Sequence, residues 1–296
     1  MSERPLLKGL FLFVLFGILF FAGIYWLTRF SEGGGPTTGE RIAVVRVEGV
    51  ILDATDTLEE LKKYKENPSV KAILIRINSP GGAVVPSQEI YEEIQKIRKE
   101  TGKKIIISMG TLAASGGYYI ASASDRIIAN PGTLTGSIGV IMELMNIEGL
   151  FKKVGLESVI IKSGSMKDVG SPFRAMTPEE RAYLQNVMDD VHGQFIDAVA
   201  KGRGMTHEDV KQLADGRVFT GRQAMEHKLV DELGDFEDAV LVAGKMVGIK
   251  GEPKIIETKK KFSFTDLLKG EFLGSSSLLN LTPKVVPGLN YLWMPG

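Results

Sequence analysis

"KKIIISMGTLAASGGYYIASASD" (Lys103–Asp125) is the stretch whose reading decides the fold. It opens with an apolar run, Ile105–Ile107, of the kind found in strands covered on both faces. After Ser115 the pattern becomes helical. A strand that turns directly into a helix is a building unit of a layered α/β domain. Ser115 stands at that junction, with Ala113 and Ala114 before it and Gly116 and Gly117 after it. Small neighbours let a substrate backbone approach closely. "AASGG" is A-x-S-x-G, near the G-x-S-x-G nucleophile elbow in shape without matching it. Two roles are open to such a serine: a nucleophile, or an N-cap with small residues packed around it.

Working outward, "IAVVRV" (Ile42–Val47), "AILIRI" (Ala72–Ile77) and "KIIISM" (Lys104–Met109) read as buried strands. "RIIA" (Arg126–Ala129), "SIGVIM" (Ser137–Met142) and "SVIIK" (Ser158–Lys162) continue the series. Helical patterns lie between and beyond them. In Ser87–Glu100, Ile90, Ile94 and Ile97 share one face. A long helix is expected from Thr177, with Thr177 as N-cap, Pro178 at the first position and Glu180 completing a capping box. "TGRQAMEHKL" and "DFEDAVLVAGKMVG" predict two more. The alternation argues for a single α/β body over residues 41–250.

Leu10–Leu27 is free of charge and, as a helix, would cover ~27 Å, close to the thickness of a bilayer core. Tyr25 and Trp26 at its far end suit the lipid–water interface. No small-x-small cleavage site follows, so residues 1–30 read as an uncleaved anchor. Arg4 and Lys8 precede the span and place the N-terminus in the cytoplasm. Residues 31–40, "SEGGGPTTGE", read as a flexible linker to a body outside the cytoplasm. The expected location is therefore the inner membrane, crossed once. Residues 251–296 are patchily apolar and rich in Gly, Ser and Pro, a tail whose role the sequence leaves open. The formal net charge is zero, which gives no electrostatic case for nucleic acid. With no cysteine, disulfides and thiolate metal sites are excluded.

Three segments could build a site. In "INSPGGAVVPSQEI" (Ile77–Ile90) a strand ends in a Pro-Gly-Gly turn, where backbone N–H groups can face outward beside a helix start. The same pattern also fits a plain tight turn. The second is the Ser115 junction. The third is "IIKSGSMKDVGSPFRAMTPEE" (Ile160–Glu180), a Gly/Ser-rich loop holding Lys167 and Asp168. A loop lysine is usually a solvated charge, but an amine kept neutral by desolvation can serve as a general base. The three histidines, His192, His207 and His227, all fall in helical patterns, and none has local support as a triad member.

Taken together and in order, "INSPGG", "GTLAASGGYYIASASD", "NPGTLTGSIGV", "KSGSMKDVGSPFRAMTPEER" and "DGRVFTGRQAMEHKLVDELG" resemble the bacterial signal peptide peptidase A family of membrane-anchored serine peptidases. The resemblance covers roughly residues 42–248. It implies a Clp protease/crotonase-like layered fold behind an N-terminal transmembrane helix. Ser115 would be the nucleophile and Lys167 the general base, with the Ser137 hydroxyl orienting the lysine. The backbone N–H groups of Gly82 and Gly116 match the oxyanion-hole positions. The implied substrates are peptides, signal peptides above all, with no metal or cofactor. The chain resembles the short form of the family, which assembles into homo-oligomeric rings whose sites can draw on neighbouring subunits. Competing readings are acyl-CoA chemistry on a crotonase-like fold, a non-catalytic membrane scaffold, and quality control of membrane proteins.

Overall fold

The structure, a computed structural model, describes residues 15–23, 39–258 and 290–293. The chain divides into two units, Met1–Gly39 and Glu40–Gly296. In the first, residues 15–23 form a helix, α1. The remainder of the apolar span Leu10–Leu27 and nearly all of the expected linker lie outside the described residues. Among the described residues no helix is long and apolar enough to cross a membrane.

The second unit is built on an eight-stranded sheet. β1 (Arg41–Glu48) pairs in parallel with β2 (Val70–Ser79), and a short β3 (Gly81–Ala83) follows outside this sheet. β4 (Lys104–Ala114) lies parallel to β2 on its other side. β5 (Arg126–Ala129), β6 (Leu134–Gly136), β7 (Val218–Thr220), β8 (Glu232–Leu233) and β9 (Lys254–Glu257) complete it. All pairings are parallel except β6 with β7. β9 adds to the outer edge of β1, so the sheet continues into the segment read from sequence as tail.

β4 runs five residues beyond the expected Met109 because it changes neighbours. Ile106–Met109 pair with β5, whereas Leu112–Ala114 pair with β6. Gly110 sits at the change, where a Cβ would meet the Asn78 carboxamide oxygen at 3.0 Å. That oxygen accepts from the Leu112 N–H at 3.2 Å.

Side-chain alternation splits the core into two layers. Ile42, Val44, Ala72, Leu74, Ile106 and Ile128 face Ala239, Val240 and Ala243 of α9 (Phe236–Met246). The opposite residues, including Val45, Ile73, Ile75, Ile77, Ile105 and Ile107, face the larger cluster. That layer includes α2 (Thr55–Glu66), α3 (Val84–Thr101), α4 (Gly116–Ser122) and α6 (Pro178–Arg203). The capping box expected at Thr177 and Glu180 forms, and Asp235 and Asp238 form another at α9. Lys103 Nζ closes the carboxyl end of α2 by donating to the carbonyls of Tyr64, Lys65 and Asn67 at 2.7–2.8 Å.

Two expected strands do not form. Ser137–Met142 contributes only a single bridge, Ile141 to Asn290, because pairing with β4 ends at Gly136. Ser158–Lys162 has no strand partner, and Val159 and Ile161 are 80% and 97% exposed. Their β-branched composition satisfied the pattern, but the segment lies in solvent and pairs with no described strand. The short α5 (Glu148–Lys153) lies between, without a buried residue.

Two glycines of α6 separate packing from propensity. Nothing approaches a Cβ at Gly193, whereas at Gly202 it would lie 1.9 Å from the Ser122 carbonyl oxygen. Gly193→Ala is expected to stabilise the fold by about 0.5–1 kcal/mol. Gly202→Ala should destabilise it by about 1–3 kcal/mol through overpacking. Urea unfolding midpoints moving in the same direction for both variants would contradict the packing of α6 on α4.

Candidate active site

Ser115 occupies the one-residue junction between β4 and α4. Its backbone has φ 54° and ψ −116°, a conformation costing a side-chain-bearing residue about 1–3 kcal/mol. Two bonds hold it there: its N–H donates to the Gly136 carbonyl at 2.8 Å, and its own carbonyl accepts from the Tyr119 N–H at 2.8 Å. The side chain makes no capping hydrogen bond to α4, so the N-cap role is not taken up. Ser137, next after Gly136, also has positive φ, 50°, and its N–H donates to the Arg217 carbonyl at 2.9 Å. The β4–β6 ladder thus brings Ser115 and Ser137 to one end of the sheet, both buried.

Gly82 and Gly116 meet beside this serine. Ile51 secures β3 from one side, donating to the Gly81 carbonyl at 2.9 Å and accepting from the Ala83 N–H at 2.8 Å. A Cβ on Gly116 would lie 2.5 Å from Ser87 Oγ and 3.2 Å from the Gly82 amide nitrogen. Only glycine allows the two backbones to come this close. The result is a pair of backbone amides next to a strained serine, the donors an oxyanion requires.

The far side of β3 is occupied by the chain itself. β10 (Asn290–Leu292) pairs antiparallel with β3, Tyr291 opposite Gly82, while Asn290 bridges Ile141. The Trp293 N–H donates to the Pro80 carbonyl at 2.9 Å. Hydrogen-bonded pairs alternate in an antiparallel ladder, so with 293 and 80 bonded, the next bonded pair is 291 and 82. The Tyr291 carbonyl therefore faces the Gly82 amide. A Cβ at Gly81 would lie 2.0 Å from that carbonyl oxygen and 2.7 Å from the Gly116 nitrogen.

The Tyr291 side chain enters an aromatic pocket and is fully buried. It stacks on Tyr119 at 5.2 Å, packs on Phe195 at 4.8 Å, and its hydroxyl donates to the Val191 carbonyl at 3.2 Å. Tyr91 closes the pocket against Tyr119 at 5.0 Å. Burial pushes the Tyr119 phenol up to about 12 and that of Tyr291 higher still, so both remain protonated. Sequence reasoning did not find this docking, because a short, patchily apolar segment carries no signal of which strand it joins.

Lys167 has no described link to the serine cluster. It sits on a 3₁₀ turn, Ser165–Asp168, with its residue exposed, and no described hydrogen bond or ion pair joins its amine to Ser115 or Ser137. His192 is on α6, His207 begins α7 (His207–Leu213) and His227 follows α8 (Gly221–Glu226). None has a described hydrogen bond to Ser115. Among the described residues no group of His, Asp and Glu is arranged to hold a metal.

Residues 97–250 match the model for peptidase family S49, and residues 40–133 match the Clp protease model. The chain belongs to peptidase family S49. The Synechocystis protein slr0021, a proposed protease, is 45% identical to this S49 chain over 75% of it and 80% of the relative. Protease 4 of Salmonella typhi is 36% identical over 72% of the chain but only 36% of its own length. The chloroplastic serine protease SPPA of Arabidopsis thaliana is 33% identical over 82% and 38%. These matches identify a serine peptidase of the signal peptide peptidase A family on a Clp protease-like α/β fold with a mixed sheet. The S49 peptidase therefore acts on peptide bonds, which suits a backbone amide, that of Gly82, facing a carbonyl.

Gly81, at φ 99°, touches all of these groups. Gly81→Ala is expected to lower kcat/KM on a fluorogenic peptide at least about a hundredfold, the scale of losing one oxyanion donor. Activity within threefold of wild type would show that the three backbones do not meet where catalysis occurs.

Proposed function

We propose that this S49 peptidase is a membrane-anchored endopeptidase that degrades cleaved signal peptides and other membrane-associated peptides, with Ser115 as nucleophile and Lys167 as general base. The observation that carries the peptide-cleaving geometry is Tyr291: an extended segment lies on β3 with its carbonyl toward the Gly82 amide and its side chain in the aromatic pocket. A substrate bound the same way adds as a strand, which uses main-chain groups common to every peptide. The pocket around Tyr119 and Phe195 then selects a large apolar or aromatic residue before the scissile bond. Signal peptides supply such residues in abundance. A relative in Enterococcus faecium, 40% identical over 69% of this chain, bears the name of a signal peptide peptidase, SppA. The charge-free span Leu10–Leu27 supports an anchor that raises the local concentration of such substrates.

In the proposed reaction the neutral Lys167 amine takes the Ser115 proton as the hydroxyl oxygen attacks the substrate carbonyl. The Gly82 and Gly116 amides donate to the resulting oxyanion. The C–N bond breaks as the lysine ammonium protonates the leaving amine, giving an acyl-enzyme. Water, deprotonated by the same amine, then releases the acid and restores the serine. Ser137 keeps the amine directed at Ser115.

Two features support a homo-oligomer in which the lysine and serine come from adjacent copies. Lys167 is exposed, and the same stretch of chain exposes Met145, Val154, Val159 and Ile161, each at least 60% exposed. Large apolar side chains exposed together in one stretch of chain fit an interface. A non-catalytic scaffold finds no support in the strained serine, which costs stability without any capping bond in return.

Ser115→Ala and Lys167→Ala should each abolish cleavage of a synthetic signal peptide, followed by mass spectrometry, with assembly unchanged on light scattering. Appreciable turnover by either variant would remove the pairing. For wild type, kcat should rise with pH from 6 to 10 as the amine loses its proton, whereas a flat profile would argue against a lysine base. Tyr291→Ala, by loosening the chain's own segment from β3, should lower KM for an added peptide several-fold; an unchanged or higher KM would mean that the segment does not occupy the substrate track.

A further inference from the structure

No residue between 139 and 179 is buried, yet this stretch carries the lysine assigned above as base. Apolar packing therefore contributes little to its shape. Phe151 and Phe173 touch at 4.8 Å, the Ile147 N–H donates to the Pro172 carbonyl at 2.7 Å, and Glu148 accepts from the Ala175 N–H at 3.1 Å. The strongest remaining hold is ionic. Arg174 Nε donates to Asp168 Oδ2 at 2.9 Å, and Nη2 reaches the Asp168 carbonyl at 3.4 Å. The other side of the guanidinium grips Glu180 through Nη1 at 2.9 Å and through Nη2. Lys162 Nζ holds Asp168 from the other side and donates to the Ser165 carbonyl at 2.8 Å.

Glu180 is itself fixed. It is the third residue of α6, its carboxylate accepts from the Thr177 N–H at 2.9 Å, and its N–H donates to Thr177 Oγ1 at 3.2 Å. Its side chain is 6% exposed and that of Asp168 10% exposed. Arg174 thus ties the residue next to the lysine to the first turn of the longest helix, whose other end packs in the core.

We propose that Arg174 is a positioning residue for Lys167: by bridging Asp168 and Glu180 it fixes the lysine-bearing turn to α6 and sets where the amine is presented. This rests on the assignment of Lys167 as base. The bridge has an electrostatic consequence as well. A bare carboxylate beside the lysine would favour the charged amine, which cannot accept a proton. Asp168 is paired to Arg174 and Lys162, Glu180 to Arg174, and Glu148 to Lys152, so the acid next to the lysine and the one it is tied to are both matched by cations. The guanidinium holds Glu180 near a value of about 2 and Asp168 lower still. Depressed carboxylates contribute their stability above their ordinary range and lose it only as pH falls through the folded values. Both acids therefore stay ionised throughout an assay from pH 6 to 10.

The test compares full-length wild type with Arg174→Gln, Arg174→Lys, Asp168→Asn, the Asp168→Asn/Arg174→Gln double variant and Lys167→Ala, measuring kcat, KM and the pH of half-maximal kcat on one fluorogenic peptide. Arg174→Gln and Asp168→Asn should each lower kcat about 10- to 100-fold with KM within about threefold, and move the half-maximal pH. The double variant should be no worse than the poorer single one, the non-additivity expected of partners in one network. Arg174→Lys should recover activity only in part, since an ammonium cannot grip two carboxylates at once. With Lys167→Ala inactive, a kcat within twofold of wild type for Arg174→Gln, or fully additive losses in the double variant, would overturn the proposal. If Arg174→Gln does not fold, Asp168→Asn decides alone: unchanged kcat and pH profile overturn it. Activity in Lys167→Ala would instead defeat the assignment of the base, and with it the proposal.

Discussion

The hydrogen bond from the Ser115 N–H to the Gly136 carbonyl is the constraint on which the site depends. It exists because β4 leaves β5 at Gly110 and runs its last residues along β6, ending the ladder at Ala114 opposite Gly136. With its N–H committed there, Ser115 takes a positive φ and α4 begins at the very next residue. That abrupt start makes Gly116 the first residue of α4 and sets it against Gly82. The strain of about 1–3 kcal/mol is offset by what the turn brings with it: every residue of α4 is buried. Burying a single large apolar side chain contributes about 1.5–3 kcal/mol, and α4 carries Tyr118 and Ile120 at full burial. A costly backbone at the serine is thus held by the core behind it.

The same logic explains how glycines act in the site. At Gly82 and Gly116, as at Gly81 and Gly202, neighbouring atoms occupy the space a Cβ would need. Ile51 closes on Gly82 and Ser87 closes on Gly116, so the amides are fixed by packing from both sides. Preorganised donors of this kind stabilise a developing charge without having to reorient.

Much of this was legible in the chain. Continuous Ile and Val runs gave β1, β2, β5 and the first half of β4, because a strand covered on both faces has only apolar positions. The capping box at Thr177 is local chemistry that a sequence states directly. The second half of β4, "GTLAA", was not legible: its small residues are chosen by the approach of Asn78 and β6, not by strand propensity. Val159 to Ile161 misled for the opposite reason, since β-branched residues make a strand only where a sheet offers an unpaired edge. Ser115, Ser137, Gly82 and Gly116 could be picked out by motif, but their meeting rests on the ladder register. Tyr291 and the Arg174 bridge are matters of long-range contact and of side-chain reach, and composition says nothing of either.

The two halves of the site are built by different physics. The serine half is buried and fixed by a sheet ladder and glycine contacts. The lysine half is an exposed loop shaped by ion pairs, which salt and solvent weaken more readily than a packed core. On the proposed assignment a lysine base needs surroundings that exclude water, and Lys167 is exposed in the described protomer. The covering surface has to come from somewhere, and the loop exposes its own material for it in Met145, Val154, Val159 and Ile161. On the proposed assembly, contact between copies removes water from the amine in the same step that brings it to a serine. On that proposal an isolated chain would hold Ser115 beside the Gly82 and Gly116 amides but no base, so peptide hydrolysis would be confined to the oligomer.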